Sequence, residues 1–166
     1  MRDKNVEKPI TKQDKLETIR DILDDNDTPM VTTIHHDKLI SRPMKMLEAE
    51  FDGTLWFATT KDTAKFDEIR QNPNVNVAFA GKGHLSLSGK AELVEDLEMK
   101  KRLWNRWMGK FFDLEYDDPN LILIRVNPES AEYWEAMTKA KSILDTIKVI
   151  GGSKRSEEEM NSSVEL

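Results

Sequence analysis

The chain has 166 residues, a formal net charge of −6 and no cysteine. This length suits one domain, and the lack of cysteine excludes disulfides, thiolate metal sites and cysteine nucleophiles. Acidic and basic residues are interspersed, so nucleic acid is not an expected partner. No apolar run could span a bilayer and no secretory signal opens the chain, which predicts a cytoplasmic protein without a membrane partner.

The spacing of apolar residues and the turn residues between them predict the secondary structure. In chain order, the predicted elements are a helix over 12–26, strands over 30–35, 39–47 and 55–59, a helix over 62–71, strands over 75–80 and 85–89, a helix over 95–112, and strands over 121–126 and 132–135. Short hairpin-linked strands interrupted by helices predict a mainly β (α+β) fold, an antiparallel barrel with helices packed outside. Gly-rich nucleotide-binding loops are absent, which argues against a dinucleotide crossover or a nucleoside triphosphatase.

The segment 55–66 carries the first candidate site. A strand leads into a hydroxyl-rich turn, and a helix then begins with Thr63 and Lys65 in its first turn. Free N–H groups at a helix start, beside a hydroxyl and an ammonium, form a phosphate-binding arrangement. The alternative is structural: Thr60 or Asp62 caps the helix and Lys65 is solvated.

The segment 41–46 carries the second candidate. Strand alternation places Arg42, Met44 and Met46 on one face, and an arginine beside methionines needs a charged partner. Pro43 within the strand indicates an edge or a bulge, which leaves backbone groups free for a ligand. A surface arginine on an edge strand is the alternative.

Together these two segments resemble the FMN-binding split-barrel superfamily of pyridoxamine 5′-phosphate oxidases, and within it the general stress protein branch. The resemblance covers about residues 12–136, in order and at family-like spacing. The matching segments are Ser41-Arg42-Pro43-Met44-Lys45-Met46, residues 55–66, Asn72-Pro73-Asn74-Val75, Ser88-Gly89-Lys90-Ala91 with Val94-Glu95-Asp96, Asp117-Asp118-Pro119-Asn120-Leu121 and Ala131-Glu132-Tyr133-Trp134-Glu135.

The resemblance implies a homodimeric, six-stranded antiparallel split β-barrel with flanking helices and FMN at the dimer interface. The FMN-binding domain is expected over 12–150, after a flexible N-terminus over 1–11 and before a disordered acidic tail over 151–166. It implies that the FMN phosphate is held by Arg42, Thr63 and Lys65, beside Thr60. It implies that the backbones of two segments flank the isoalloxazine: Pro43, Met44 and Lys45, and Phe57, Ala58 and Thr59.

Two further residues are weaker candidates for cofactor contact. His84 falls near the position of a ring-contacting glutamine in oxidases of the superfamily, although an ordinary turn histidine is the simpler interpretation. Trp107 is a candidate wall of the site, but its helical spacing with Trp104 and Met108 also fits packing against the barrel. No residue pattern predicts a metal site, and the catalytic residues are not identified.

The predicted function is that of an FMN-dependent oxidoreductase of the general stress type, which exchanges electrons with a small-molecule donor or acceptor. Leu47 stands where true pyridoxamine 5′-phosphate oxidases place a substrate-binding lysine, and their C-terminal arginine segment is replaced by Gly151-Gly152 and an acidic tail. Oxidation of that vitamin is therefore not expected. The alternatives are a flavin carrier without turnover, a haem- or deazaflavin-binding member of the fold, and an interaction module whose flavin site has decayed.

Overall fold

The computed structural model describes residues 11–47, 53–81, 83–134 and 162–165. Within these ranges the helices are α1 (Lys12–Asp25), α2 (Ala64–Gln71), α3 (Leu97–Leu103) and α4 (Arg106–Phe112). The strands are β1 (Met30–His35), β2 (Lys38–Pro43), β3 (Leu55–Thr60), β4 (Asn74–Ala80), β5 (His84–Val94), β6 (Leu121–Trp134) and β7 (Ser162–Glu165). No helix among the described residues is long and apolar enough to cross a membrane.

The strands form one antiparallel sheet in the order β2-β1-β4-β5-β6-β3, with β7 beside β6. This sheet curls into a half-barrel with flanking helices, which confirms the prediction of a mainly β fold. Past β2 the chain runs back along the start of β1, where the Met44 N–H donates to the carbonyl of Pro29 at 3.0 Å. Leu47 then donates to the carbonyl of Trp56 in β3 at 2.8 Å. This hydrogen bond joins the two ends of the sheet.

Two apolar clusters stabilise the half-barrel. The first fills its interior with alternate residues of the strands and is covered by Ile19, Ile22 and Leu23 of α1. The second lies outside β3 and β6, against Leu103 of α3 and Met108 of α4. Both faces of β3 and of the first half of β6 are therefore buried, which explains why these strands are apolar without alternation.

The single helix predicted over 95–112 is wrong, because the helical region begins at Leu97 and divides into α3 and α4 at Trp104 and Asn105. The strand predicted over 85–89 is longer, since β5 runs from His84 to Val94. The division occurs because the Asn105 side chain accepts a hydrogen bond from the Met108 N–H at 3.0 Å and so caps a new helix. The apolar stripe is broken as a result, and Phe111 is 66% exposed.

The two strands predicted over 121–126 and 132–135 are one continuous strand, β6. Its register with β5 shifts at Ser88/Gly89, opposite Pro128, and this irregularity absorbs the proline without ending the strand. A Cβ placed on Gly89 would lie 2.1 Å from the carbonyl oxygen of Asn127, so the two backbones approach as closely as only glycine permits.

We therefore expect Gly89→Ala to lower the free energy of unfolding by about 3 kcal/mol, because rigid backbone must move to relieve the clash. Urea denaturation followed by circular dichroism measures the effect. Ser88→Ala is the matched control, since this exposed neighbour should change stability by less than about 1 kcal/mol. Equal midpoints for Gly89→Ala and the wild type would contradict this account of the bulge.

The predicted disordered tail over 151–166 lies mostly outside the described residues. Residues 162–165 form β7, which pairs with Ser130–Tyr133 of β6. This part of β6 extends past the end of β3, so its backbone groups are available for pairing. The N-terminal prediction for 1–11 falls outside the described residues except for Thr11, whose side chain caps α1.

Candidate functional site

The turn between β3 and α2 leaves the start of a helix without a side-chain cap. Thr63 precedes α2, but its hydroxyl donates to the carbonyl of Thr60 at 2.8 Å and lies 2.9 Å from the hydroxyl of Thr59. Among the described residues, the backbone N–H groups of Ala64 and Lys65 have no hydrogen-bond acceptor. Because free N–H groups at a helix start attract anions, this end of α2 is suited to bind one.

The structure excludes the capping interpretation of this turn, and phosphate binding stays a prediction. Asp62 accepts a hydrogen bond from the Thr60 hydroxyl and caps nothing in α2, so neither side chain plays the predicted capping role. The hydroxyl of Thr63 is already engaged, and it can donate to a ligand only after rotating away from Thr60. The free backbone N–H groups at the start of α2 are therefore better placed to bind an anion than the Thr63 hydroxyl is.

Lys65 is half-buried, and its ammonium makes no salt bridge or hydrogen bond with any residue in the described part of the chain. Burial lowers the pKa of its ammonium, repulsion from Arg42 lowers it further, and attraction by Glu68 offsets part of this. Arg42 comes from a separate element, but it donates to Glu68 of α2, three residues after Lys65 in the same helix. Two neighbouring cations with only one described carboxylate beside them form a site that an anion would stabilise.

The guanidinium of Arg42 faces the interior of the half-barrel, where it meets a carboxylate. Nη1 donates to Glu68 Oε2 at 2.9 Å and Nη2 donates to Glu68 Oε1 at 3.3 Å, while Nη1 also donates to the Thr33 hydroxyl at 3.0 Å. The Thr33 hydroxyl in turn donates to Glu68. Arg42 is 22% exposed, whereas Glu68 is 4% exposed. The surface arginine considered from the sequence is therefore excluded, because this side chain is anchored.

Burial raises the pKa of the Glu68 carboxyl, but hydrogen bonds from Arg42 and Thr33 outweigh this effect and hold the pKa below its usual value. A carboxyl with a depressed pKa in the folded state contributes stability above its unfolded pKa, and loses it as the pH falls through the folded value. Glu68 is therefore ionised at neutral pH.

The backbone segments predicted to flank the flavin ring lie at the junction of the two sheet ends. The Trp56 carbonyl points away from β6, toward Leu47, and strand alternation turns the Ala58 carbonyl to the same side. Phe57 and Thr59 point their backbone groups toward β6 instead and are fully buried. Of this segment, Ala58 is the residue whose outward backbone groups have no hydrogen-bond partner among the described residues.

The segment after β2 lies beside α4. Pro43 is exposed and Met44 is buried, while Lys45 forms an ion pair with Asp27. The Lys45 ammonium also lies 5.8 Å from the centre of the Trp107 ring. Trp107 thus contacts the segment that follows β2.

The aromatic side chains around Trp107 form a ladder. Phe111 stacks on its ring at 4.9 Å and Phe112 meets it edge-on at 6.2 Å. Trp107 also packs against the second apolar cluster. Packing against the fold is therefore confirmed for Trp107, and its role as a wall of the site stays a prediction.

His84 lies apart from these groups within one subunit. It stands at the start of β5, on the outer sheet face, whereas Arg42 faces the interior. It lines an open apolar depression of about 390 Å³ together with Met30 and Trp134. A second depression, of about 510 Å³, is lined by Gly109 and by residues between Asp113 and Pro119, several of them acidic, and includes none of Arg42, Lys65 and Glu68.

The sequence analysis missed Glu68 and Thr33. Glu68 is three residues after Lys65 in a helix of mixed charge, and such a carboxylate normally faces solvent. A signal for Thr33 was present, because the β1–β2 hairpin pairs Val31 with Arg42 and therefore places Thr33 on the same face. The described residues contain no group of three or more His, Cys, Asp or Glu side chains that could hold a metal ion.

Comparison with known proteins places this geometry in a family. The family model described as "Pyridoxamine 5′-phosphate oxidase like" matches residues 14–156. The chain belongs to the pyridoxamine 5′-phosphate oxidase-like family. The match covers α1 through β6, so the α2 turn and the Arg42 strand both lie within the family's shared region.

Within the pyridoxamine 5′-phosphate oxidase-like family, the chain is similar to proteins named for general stress. General stress protein 26 of Bacillus subtilis is 29% identical over 143 residues, which span 82% of this chain and 99% of that protein. The crystal structure of general stress protein 26 from Bacillus anthracis is 32% identical, with a TM-score of 0.63 over 70% of this chain and 91% of the other. A general stress FMN/FAD binding protein from Xanthomonas citri is 28% identical, with a TM-score of 0.66 over 74% and 89% of the two chains.

Proposed function

We propose that this protein binds FMN, with the phosphate at the start of α2, and uses it to exchange electrons with a small molecule. The observation that carries the proposal is the convergence of unpaired donors at one place. Lys65 offers an ammonium without a described partner, and α2 offers two free N–H groups. Arg42 is tied to the same helix, because its guanidinium donates to Glu68, three residues after Lys65. The binding of FMN or FAD by the Xanthomonas citri relative supports a flavin as the ligand.

The donor set fits a phosphomonoester by charge and by number. A dianionic phosphate presents three terminal oxygens that accept several hydrogen bonds, and cations with a helix start supply matching donors. Glu68 neutralises one of the two cations, and the helix start adds partial positive charge. The phosphate would also restore the pKa of Lys65 toward its ordinary value, because it supplies the missing counter-charge.

The ring of the flavin would lie between the open edge at Ala58 and the backbone of Pro43, Met44 and Lys45, with Trp107 beside it. FMN would supply the redox chemistry, and these residues would orient its ring and limit the access of water. Thr60 and Thr63 would hold the turn that presents the N–H groups of α2.

A homodimer is part of this proposal. The outer sheet face exposes Met30 to 42% and carries the apolar depression at His84, a surface that a second subunit would cover. In such a dimer, His84 would contact a flavin only across the interface, since it lies on the face opposite Arg42. Size-exclusion chromatography with light scattering should give twice the chain mass of 19.2 kDa.

The absorption spectrum of the purified protein tests the proposal. We expect flavin bands in the protein as isolated, or after addition of FMN, at one FMN per subunit. A colourless protein that ignores every flavin would favour a decayed site, and a Soret band or a preference for deazaflavin would replace FMN with another cofactor.

Turnover separates the oxidoreductase from a flavin carrier. His35 lies on the same face of β1 as Thr33 and helps to lower the pKa of Glu68, but no histidine among the described residues is hydrogen-bonded to Arg42 or Glu68. The protein would therefore position the cofactor rather than supply an acid or base. We expect the FMN-loaded protein to oxidise NADH or NADPH with an artificial acceptor. Complete inactivity of fully loaded protein would favour the carrier.

A further inference from the structure

Glu68 is not among the residues that the sequence predicts to hold the phosphate, yet its buried carboxylate lies beside them. A carboxylate beside an anion site repels the ligand, and its burial is costly without strong hydrogen bonds. Glu68 nevertheless lies one turn into α2, on the side that faces Thr33 of β1, and it is 4% exposed. A group with this cost requires a role that outweighs its repulsion of an anion.

The hydrogen bonds of Arg42 show what Glu68 does. A guanidinium is planar and carries five N–H donors in fixed directions. The Glu68 carboxylate accepts one hydrogen bond from Nη1 and one from Nη2 of Arg42. The Thr33 hydroxyl accepts the second hydrogen bond that Nη1 donates. The Nε–H and the second Nη2–H lie along the adjacent edge of the plane and have no acceptor among the described residues. Arg42 therefore presents a second pair of parallel donors.

We propose that Glu68 and Thr33 are positioning residues: they fix the Arg42 guanidinium by one edge so that its Nε–H/Nη2–H edge binds the phosphate of the flavin. This inference rests on the proposed function. The pair lowers the positive charge of the site, and in exchange it holds a long side chain in the one orientation that gives bidentate contact to an oxyanion. Glu68 is not a catalytic residue, because it acts only through Arg42.

The direction in which Glu68→Gln changes FMN affinity distinguishes a positioning role of Glu68 from a purely electrostatic one. Glutamine keeps one acceptor oxygen, but its amide N–H₂ faces the Nη2 donor of Arg42, so the bidentate anchor is lost. The change also removes one negative charge, which by electrostatics alone should strengthen FMN binding. We expect the dissociation constant for FMN to rise by about tenfold, the loss of one charge-assisted contact, despite the more positive site. The affinity for riboflavin, which lacks the phosphate, should change by less than about twofold.

Thr33 provides a second pair of variants that preserves the strand. Thr33→Val removes the hydroxyl that bridges Arg42 and Glu68 but keeps a β-branched side chain in β1. We expect FMN binding to weaken by about threefold to tenfold, and Thr33→Ser to restore it to within about twofold of the wild type. Rescue by serine would show that the hydroxyl is needed. If Thr33 acted only by packing, valine would bind FMN as well as threonine does.

Flavin fluorescence quenching on the full chain measures both affinities, with circular dichroism as the check that each variant is folded. Glu92→Gln is the matched control, since it removes a carboxylate that pairs with Arg125 on another part of the sheet. FMN affinity unchanged or increased in Glu68→Gln, or equal loss of FMN and riboflavin binding, overturns the positioning role. A wild type that binds no flavin overturns the proposed function instead, so the two failures are distinguishable.

Discussion

Arg42→Met weakens FMN binding by about 1.5–3 kcal/mol in our account, a rise of roughly tenfold to a hundredfold in the dissociation constant, because charge-assisted hydrogen bonds to the phosphate are lost. Riboflavin binding should be unaffected, since the ring contacts come from Ala58 and the backbone after β2. Titration of both flavins by fluorescence quenching measures the difference. Equal weakening for the two ligands would assign Arg42 to the ring or to the fold rather than to the phosphate.

The same change should also destabilise the protein, and a second variant separates the two effects. Arg42→Met leaves the buried Glu68 carboxylate without its cation, which we expect to cost about 2–4 kcal/mol of unfolding free energy at pH 7. Replacing both partners by apolar residues, as in the double variant with Glu68→Met, should recover most of that loss. FMN binding should stay weak in the double variant. Recovery of FMN binding together with stability would refute a direct role for Arg42.

Lys65→Met should produce changes of opposite sign in stability and in binding. Burial and repulsion from Arg42 lower the pKa of Lys65, so its protonated form is disfavoured by folding at neutral pH and the cost is relieved only as the pH rises through the folded pKa. Methionine removes this cost, and we expect a higher melting temperature without flavin. We also expect FMN affinity to fall by about tenfold, since the ammonium no longer contacts the phosphate.

Differential scanning fluorimetry with and without FMN measures both parts of this prediction. Lys61→Met is the matched control in the same turn, because Lys61 pairs with exposed Glu95 at 2.6 Å and carries no predicted contact to the ligand. A Lys65→Met protein that is less stable without flavin, yet binds FMN like the wild type, would show that the ammonium stabilises the fold and not the ligand.

The sequence predicts most of the fold because periodicity and turn residues are local signals. The positions of α1, β1, β3 and β4 agree with the predicted ranges to within one residue at each end. The predicted elements are wrong where a cap or a bulge changes the structure that the apolar pattern indicates. Asn105 within a long apolar stripe caps a new helix, and Pro128 within a strand is accommodated by a bulge opposite Gly89.

The candidate site is predicted less completely, for a physical reason. Arg42 and Lys65 could be named from two segments and a resemblance, and the structure ties Arg42 to the helix of Lys65 through Glu68. Their environment depends on the packing of α2 against β1, which brings Glu68 to Thr33 across 35 positions of sequence. No local pattern encodes such a contact. His84 was a candidate only through the resemblance, and the sheet puts it on the face opposite Arg42.

The comparison of FMN with riboflavin on the wild-type protein, by isothermal titration calorimetry, tests the central claim most directly. The two ligands share the ring and differ by the phosphate. A phosphate held by Arg42, Lys65 and the start of α2 predicts that FMN binds at least about a hundredfold more tightly, a difference of about 3 kcal/mol. Equal affinities would contradict the claim, because the ring alone would then account for binding.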